Sequence, residues 1–413
     1  MAASPKDTRH GLPPTSVDDV PIKSLYEKET YECETEDGWV LCITRYKPVP
    51  QPFAQPLLKV PLLLVHGFSQ NRHAWSSGEF VKNLLYFGAD VHILELRGHG
   101  KSTLELQRER CHDRGRALPD DLDWGWSFDS YALQDVPAAI DAVKKRTGAA
   151  RIGYIGHSMG GMIGYYHAAK RTDLLCLVTI GAPAELGKDF FSLRVLAYLV
   201  PALSTVIDTL LSSANVMLND VPKLAGRRGL TGAGRRFAYK YFPMDWVFEL
   251  LNRALSERNF ELYQKLSPLL VLLFNPNHAN FEGVQWILQR GTGREPRGVV
   301  EQLSRWIRSQ KMVIETTGED IKQLYSQIRL PLAIIFGDRD VLATMKSTRR
   351  IYHRAQSDYL LWRPVRGNSH IELTMGYDIR QICYDIKNIV EYAVHTSDHA
   401  HALPRRGRPA LPG

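Results

Sequence analysis

The stretch over residues 151–169 constrains the fold more than any other. It reads Arg-Ile-Gly-Tyr-Ile-Gly-His-Ser-Met-Gly-Gly and then Met-Ile-Gly-Tyr-Tyr-His-Ala-Ala. An apolar strand runs into a tight turn at Gly156-His157-Ser158-Met159-Gly160, and a helix of small residues follows. A G-x-S-x-G turn in that setting forces the serine into a strained backbone conformation, with its hydroxyl standing clear of the sheet edge. A side chain at Gly156 or Gly160 would collide where strand and helix run close together. The helix N-terminus beneath Ser158 favours nearby negative charge, which suits an oxyanion. A merely structural turn is the alternative; the strand before and the helix after favour a reactive serine.

Other segments place this unit in a larger sheet. Pro61-Leu-Leu-Leu-Val-His-Gly-Phe is a continuous apolar run ending in a glycine turn, the pattern of a strand buried on both faces. Asp90-Val-His-Ile-Leu-Glu-Leu, Leu174-Leu-Cys-Leu-Val-Thr-Ile-Gly, Leu330-Pro-Leu-Ala-Ile-Ile-Phe-Gly and Asp358-Tyr-Leu-Leu-Trp repeat it. Helical spacing is expected over residues 74–87, 128–146 and 376–394, and a polar irregular stretch over 103–125. Strands alternating with helices predict an α/β fold with a doubly wound, mostly parallel sheet. Residues 29–184 and 328–398 form its two parts, split by an inserted helical cap over 185–327. Residues 1–28 read as a flexible arm and 399–413 as a basic Pro/Gly-rich tail.

Near the start, Asp37-Gly38 lies between alternating runs and signals a hairpin. A two-residue turn there would set Cys33 opposite Cys42, within reach of a cross-strand disulfide; two buried thiols are the favoured alternative. Five cysteines in all make no disulfide framework. Residues 1–23 lack the apolar core of a signal peptide, and no apolar run is long enough to span a bilayer. The expectation is a soluble cytoplasmic protein, with peripheral membrane contact as a further option. Of 413 residues, 44% are hydrophobic and 23% charged, which excludes a disordered chain. The net charge of +8 is thinly spread, so no nucleic-acid partner is expected.

A serine nucleophile needs a base to take its proton and a third group to fix that base. The downstream strand ends supply Gly337-Asp338-Arg339-Asp340 and then Gly367-Asn368-Ser369-His370-Ile371-Glu372. Serine, aspartate and histidine thus follow in the order that this architecture uses, at the carboxyl edge of one sheet. Asp338 and Asp340 are both candidates for the acid.

These elements together resemble the α/β-hydrolase superfamily, in particular lipases and esterases with a His-Gly oxyanion loop. The resemblance covers residues 30–184 and 328–395. Its motifs are His66-Gly67-Phe68, Arg97-Gly98-His99-Gly100-x-Ser102, the Ser158 elbow, Gly337-x-x-Asp340 and His370. Thr35-Glu-Asp-Gly-Trp with Leu41, and Trp126-Ser-Phe-Asp-Ser-Tyr with Asp135-Val-Pro-Ala, are similar to the acid lipase branch. The second segment is also similar to polyhydroxyalkanoate synthases, which carry cysteine at the elbow where this chain has Ser158. Dehalogenases and epoxide hydrolases carry aspartate there. The resemblance implies Ser158 as nucleophile, His370 as general base and Asp340 as the acid that orients it, with Asp338 a turn carboxylate. It implies backbone N–H groups of Phe68 and Met159 as the oxyanion hole, and no metal or organic cofactor. His66, His99 and His157 would fix turns; His73 is a candidate for the site mouth.

The cap region carries apolar stretches over 190–203, 210–218 and 266–274, which suit either a lid over an acyl pocket or the cap's own core. Lys223, Arg227, Arg228, Arg235, Arg236 and Lys240 lie in a stretch without acids. It reads as a solvated loop, with contact to an anionic membrane or an acyl-CoA phosphate as the alternative. The expected activity is hydrolysis of carboxylic esters of apolar or lipid-like small molecules. The alternatives are acyl transfer or thioester cleavage on acyl-CoA-type substrates, and a non-catalytic binding protein.

Overall fold

Consecutive strand residues point to opposite faces of a sheet, so a strand apolar at every position must be covered on both sides. The computed structural model shows this arrangement; it describes residues 26–49, 58, 60–76, 78–189, 241–242 and 274–398, with isolated residues between 191 and 262. Strands β1 (Tyr26–Glu34), β2 (Val40–Pro48), β3 (Pro61–Val65), β4 (Asp90–Glu95), β5 (Ile152–His157), β6 (Leu174–Ile180), β7 (Leu332–Gly337) and β8 (Leu360–Val365) form one sheet. Their order is β1-β2-β4-β3-β5-β6-β7-β8. The β1–β2 and β2–β4 pairs are antiparallel and all others parallel.

The helices that matter below are α1 (Phe80–Tyr86), α2 (Leu104–Asp113), α3 (Val136–Thr147), α4 (Met159–Lys170), α5 (Phe281–Arg290), α6 (Arg297–Ser309) and α7 (Ile379–Asp398). Leu63, Val65, Tyr154, Leu177, Ile334 and Phe336 face one core with Val136, Ala139, Ile140 and Val143 of α3. Leu62, Leu64, Ile155, Val178, Ala333 and Ile335 face the other, against Ile382, Ile386, Ile389 and Val390 of α7. Each Val, Leu, Ile or Phe side chain among these, fully buried, stabilises the fold by roughly 1.5–3 kcal/mol. The expected doubly wound sheet is therefore present.

Several local expectations are corrected. The β1–β2 register pairs Cys33 with Leu41 and Glu32 with Cys42, not Cys33 with Cys42. The turn holds three residues rather than two: Thr35 N–H donates to Trp39 O (2.9 Å), Gly38 N–H to Thr35 O (3.0 Å), and Gly38 has φ +86°. That is a turn followed by a left-handed glycine, which shifts the register by one and sends the two thiols to opposite faces. All five cysteines are free and buried. β1 already begins at Tyr26, inside the stretch read as an arm.

The helix expected over 74–87 is broken in two, a single turn at His73–Ser76 and then α1. The stretch read as irregular contains α2, whose N-cap Thr103 side chain accepts from Leu106 N–H. Few apolar residues mark α2, because two of its three buried positions are Gln107 and Cys111. Between Phe128 and α3 the helix passes through a wide turn at Tyr131–Asp135. Pro137 has no N–H to give the preceding turn, which accounts for the widening.

The chain leaves the sheet after β6 and rejoins it directly beside β6, with Leu332 paired to Leu177. Among the described residues in between are α5, α6 and a two-residue strand Glu295–Pro296 paired with Tyr241–Phe242. The apolar stretches over 190–203, 210–218 and 266–273 lie outside the described residues, apart from isolated positions. So do the basic stretch over 223–240 and the tail. No helix among the described residues is long and apolar enough to cross a membrane.

Candidate active site

Three parallel strands deliver three side chains to one edge. Ser158 follows β5, Asp340 follows β7 and His370 follows β8. Ser158 has φ +50° and ψ −118°, in the left-handed region that a serine rarely adopts; such a conformation costs about 1–3 kcal/mol and must be held by its surroundings. It is held at both ends. Ser158 N–H donates to Ile180 O (2.9 Å), and Ser158 O accepts from Met162 N–H (3.1 Å). A Cβ on Gly156 would lie 2.5 Å from the Gly160 backbone, and one on Gly160 would lie 2.3 Å from Val65 O. Both glycines are therefore required by contact.

His370 Nε2 lies 2.9 Å from Ser158 Oγ, and His370 Nδ1 lies 2.8 Å from Asp340 Oδ2. Asp340 Oδ1 accepts from the N–H groups of Leu342 (2.8 Å) and Ala343 (2.9 Å), which fixes the carboxylate. Asp340 and His370 are buried while Ser158 is partly exposed, so the chain of three opens outward only at the hydroxyl. Burial alone would lower the His370 pKa; the charge of Asp340 and its hydrogen bond outweigh that and raise it above its ordinary value. Asp338 is exposed and turned away, its Oδ1 accepting from Gly367 N–H at 2.7 Å. The structure thus brings Ser158, His370 and Asp340 together and leaves Asp338 as a turn carboxylate.

The loop after β3 passes directly over the elbow. A Cβ on Gly67 would lie 2.8 Å from Ser158 Cβ, so only glycine lets the loop come this close. Met159 is the first residue of α4, where backbone N–H groups have no intrahelical acceptor. Gly67, one residue before Phe68, and Met159 accordingly stand next to Ser158.

His66, His99 and His157 pin backbone. His66 accepts Leu96 N–H on Nε2 (3.2 Å) and has Nδ1 2.9 Å from Gly67 O. His99 Nδ1 lies 3.0 Å from Arg97 O. His157 sits between Gln70 Oε1 (2.9 Å) and His370 O (3.2 Å), tying the two loops beside Ser158 together. Burial, then the neighbouring His370 charge, push the His157 pKa down to about 3, so it stays neutral. His73 is half-buried and packs edge-on against Trp286 of α5, ring centroids 5.7 Å apart.

Two residues of this site escaped sequence reasoning. Gln70 Oε1 accepts Gly67 N–H (2.9 Å) and meets His157, so one amide oxygen shapes the loop. Its only signal is its place three residues after Gly67. Glu372 is fully buried, with Oε1 accepting from Ser369 N–H (2.5 Å) and Asn275 N–H (2.7 Å). Burial pushes its carboxyl up to about 7 against those two donors, and Asp340 adds to the rise. Glu372 stands two residues past His370, close enough in sequence to have been asked for a role. No group of three or more His, Cys, Asp or Glu side chains able to hold a metal occurs among the described residues.

Comparison with known proteins agrees with this fold. Residues 60–214 match the family model of the alpha/beta hydrolase fold. Human lipase member J is 32% identical over 403 residues, covering 89% of this chain and 96% of that protein. Human gastric triacylglycerol lipase is 30% identical over 141 residues, and that match spans only 34% of each chain. Among solved structures, DcsB in complex with its substrate analogue superposes with a TM-score of 0.51 at 10% identity, over 89% of this chain and 100% of that one, a likeness of fold alone.

Proposed function

The chain belongs to the α/β-hydrolase fold family, on its lipase side, and we propose that it is a serine hydrolase of carboxylic esters. The observation that carries the proposal is the hydrogen-bonded series Ser158 Oγ, His370 Nε2, His370 Nδ1, Asp340 Oδ2 at a strained elbow. His370 takes the Ser158 proton as Oγ attacks the ester carbonyl. The resulting oxyanion lies against the backbone N–H groups of Phe68 and Met159, donors worth roughly 3–4 kcal/mol each when aimed at such a charge. His370 then gives the proton to the departing alkoxide, and the alcohol leaves. Water, deprotonated by His370, attacks the acyl-enzyme; the acid departs and Ser158 is restored. Asp340 holds the histidine in the tautomer with its proton on Nδ1 and steadies the imidazolium.

The substrate we infer is an ester with an apolar or lipid-like acyl group. Human gastric triacylglycerol lipase is named for such esters. Residues 185–327 are read as a cap over the site, supported by the return of the chain beside β6 and by the contact of α5 with His73. A series of p-nitrophenyl esters of rising chain length tests this. Turnover that rises with acyl length and vanishes in Ser158→Ala is expected. Turnover that survives the substitution refutes the serine mechanism, and a flat or falling series refutes the apolar acyl group.

A further inference from the structure

The loop that carries Phe68 is held by the inserted segment as well as by His157 at the end of β5. Gln70 forms an antiparallel bridge with Thr292. Gly293 N–H donates to Ser69 O (3.0 Å), Asn71 N–H to Gly291 O (3.2 Å) and Asn71 Nδ2 to Arg290 O (2.7 Å). Ser69 Oγ donates to Gly293 O. At the end of this run, Glu295 is fully buried and its Oε2 accepts from Ser69 N–H at 2.6 Å. The same oxygen lies 3.3 Å from His99 Nε2, and Oε1 accepts from Tyr131 Oη (3.1 Å), which itself accepts from Trp126 Nε1 (2.9 Å).

Two features set this carboxylate apart from a core filler. A buried carboxylate is costly unless several donors meet it, and an apolar residue of similar volume would serve packing as well. Ser69, moreover, has φ +55°, a left-handed conformation that favours glycine. Something outside the loop must therefore hold Ser69 there, and its N–H ends on Glu295. Pinning that N–H fixes the plane of the Phe68–Ser69 peptide, the neighbour of the Gly67–Phe68 peptide that carries the Phe68 N–H, and so limits the rotation open to Phe68.

We propose that Glu295 is a positioning residue for the oxyanion loop, acting through Ser69 to aim the Phe68 N–H at the developing negative charge. The inference rests on the hydrolase reading given above. His99 belongs to the same assembly: burial lowers its pKa, and the facing Glu295 outweighs that and raises it. The inserted segment is thereby part of the catalytic geometry and not only a cover.

The test compares wild type, Glu295→Ala, Glu295→Gln and the double variant Ser69→Gly/Glu295→Ala. Readouts are kcat and KM on a short p-nitrophenyl ester and amide exchange in the peptide spanning residues 66–72. E295A should lower kcat about 10- to 100-fold with KM within about twofold, because an oxyanion donor is misaimed while binding is untouched. It should also speed exchange in that peptide. Adding S69G lets the left-handed turn form without a Cβ and should recover kcat about fivefold. Unchanged kcat, a change confined to KM, or no recovery with S69G overturns the proposal. If E295A does not fold, E295Q decides: its single amide oxygen must serve both Ser69 N–H and Tyr131 O–H, and kcat should fall at least about threefold. Wild-type kcat in E295Q overturns the proposal. Absent ester turnover in wild type would strike the hydrolase reading instead; the exchange comparison then decides alone, and unchanged protection in E295A, or in E295Q should E295A not fold, overturns the clamp.

Discussion

The two loops beside Ser158 are held in different ways. On the histidine side the contacts are mostly short-range: Asp340 accepts from Leu342 and Ala343, and Glu372 from Ser369, with Asn275 N–H of the inserted segment as a second donor to Glu372. On the oxyanion side Ser69 is held by Gly293 and Glu295, more than two hundred positions away in sequence. The insertion thus reaches both halves, through Asn275 on the histidine side and through a run of contacts at the oxyanion loop. Asp340 and its donors involve no residue of the insertion, so the Asp340–His370 pair should survive changes at Glu295 that the oxyanion loop does not.

The largest effects should fall on the base half. His370→Gln should reduce kcat by roughly 10⁴-fold or more, measured as ester turnover, since Ser158 loses its only base. Asp340→Asn should cost about 10⁴-fold through the wrong histidine tautomer, while Asp338→Asn should change turnover by less than about threefold. Equal losses in the two aspartate variants would break the assignment of the acid.

A middle-sized effect concerns pH. The neutral form of His370 is the base, and its pKa is raised by Asp340. Activity should therefore be lost as pH falls through a value above the ordinary histidine range, and the acidic limb of kcat/KM should move down in whatever activity remains for D340N. A limb unmoved by D340N would mean that another group controls it.

How much of this was legible follows the same division. The sheet, the elbow and the order of Ser158, Asp340 and His370 could be read because each sits at the end of an apolar strand, a local pattern. Asp340 over Asp338 came from the family resemblance, carried by the local motif Gly337-x-x-Asp340. The hairpin at Asp37-Gly38 was misread by one residue, since a left-handed Gly38 serves two- and three-residue turns alike. α2 was missed because its buried face is partly polar, with Gln107 donating to Gly38 O and accepting from Val40 N–H. Glu295 left no trace, and Gln70 only its place three residues after Gly67, because what matters is whom they meet across the fold. Ser69 could not be flagged either, as no sequence pattern announces a left-handed serine.

A smaller effect would sharpen the histidine side. Glu372 has its pKa raised from 4.5 to about 7 by burial. The folded state then binds more protons than the unfolded state between those values, so stability due to this group falls as pH rises from about 4.5 to 7. Glu372→Gln should remove that slope, an effect of at most about 3 kcal/mol across the window, read from denaturant midpoints at pH 5 and pH 8. An unchanged slope would mean that the carboxyl titrates at its ordinary value.

The most direct test of the whole account is intact mass after treatment with a fluorophosphonate, on wild type and Ser158→Ala. The serine, activated by His370 and Asp340, should take up one adduct on wild type and none in the variant. An adduct of equal yield on the variant, or none on folded wild type with or without detergent micelles, would contradict the claim that Ser158 is an activated nucleophile.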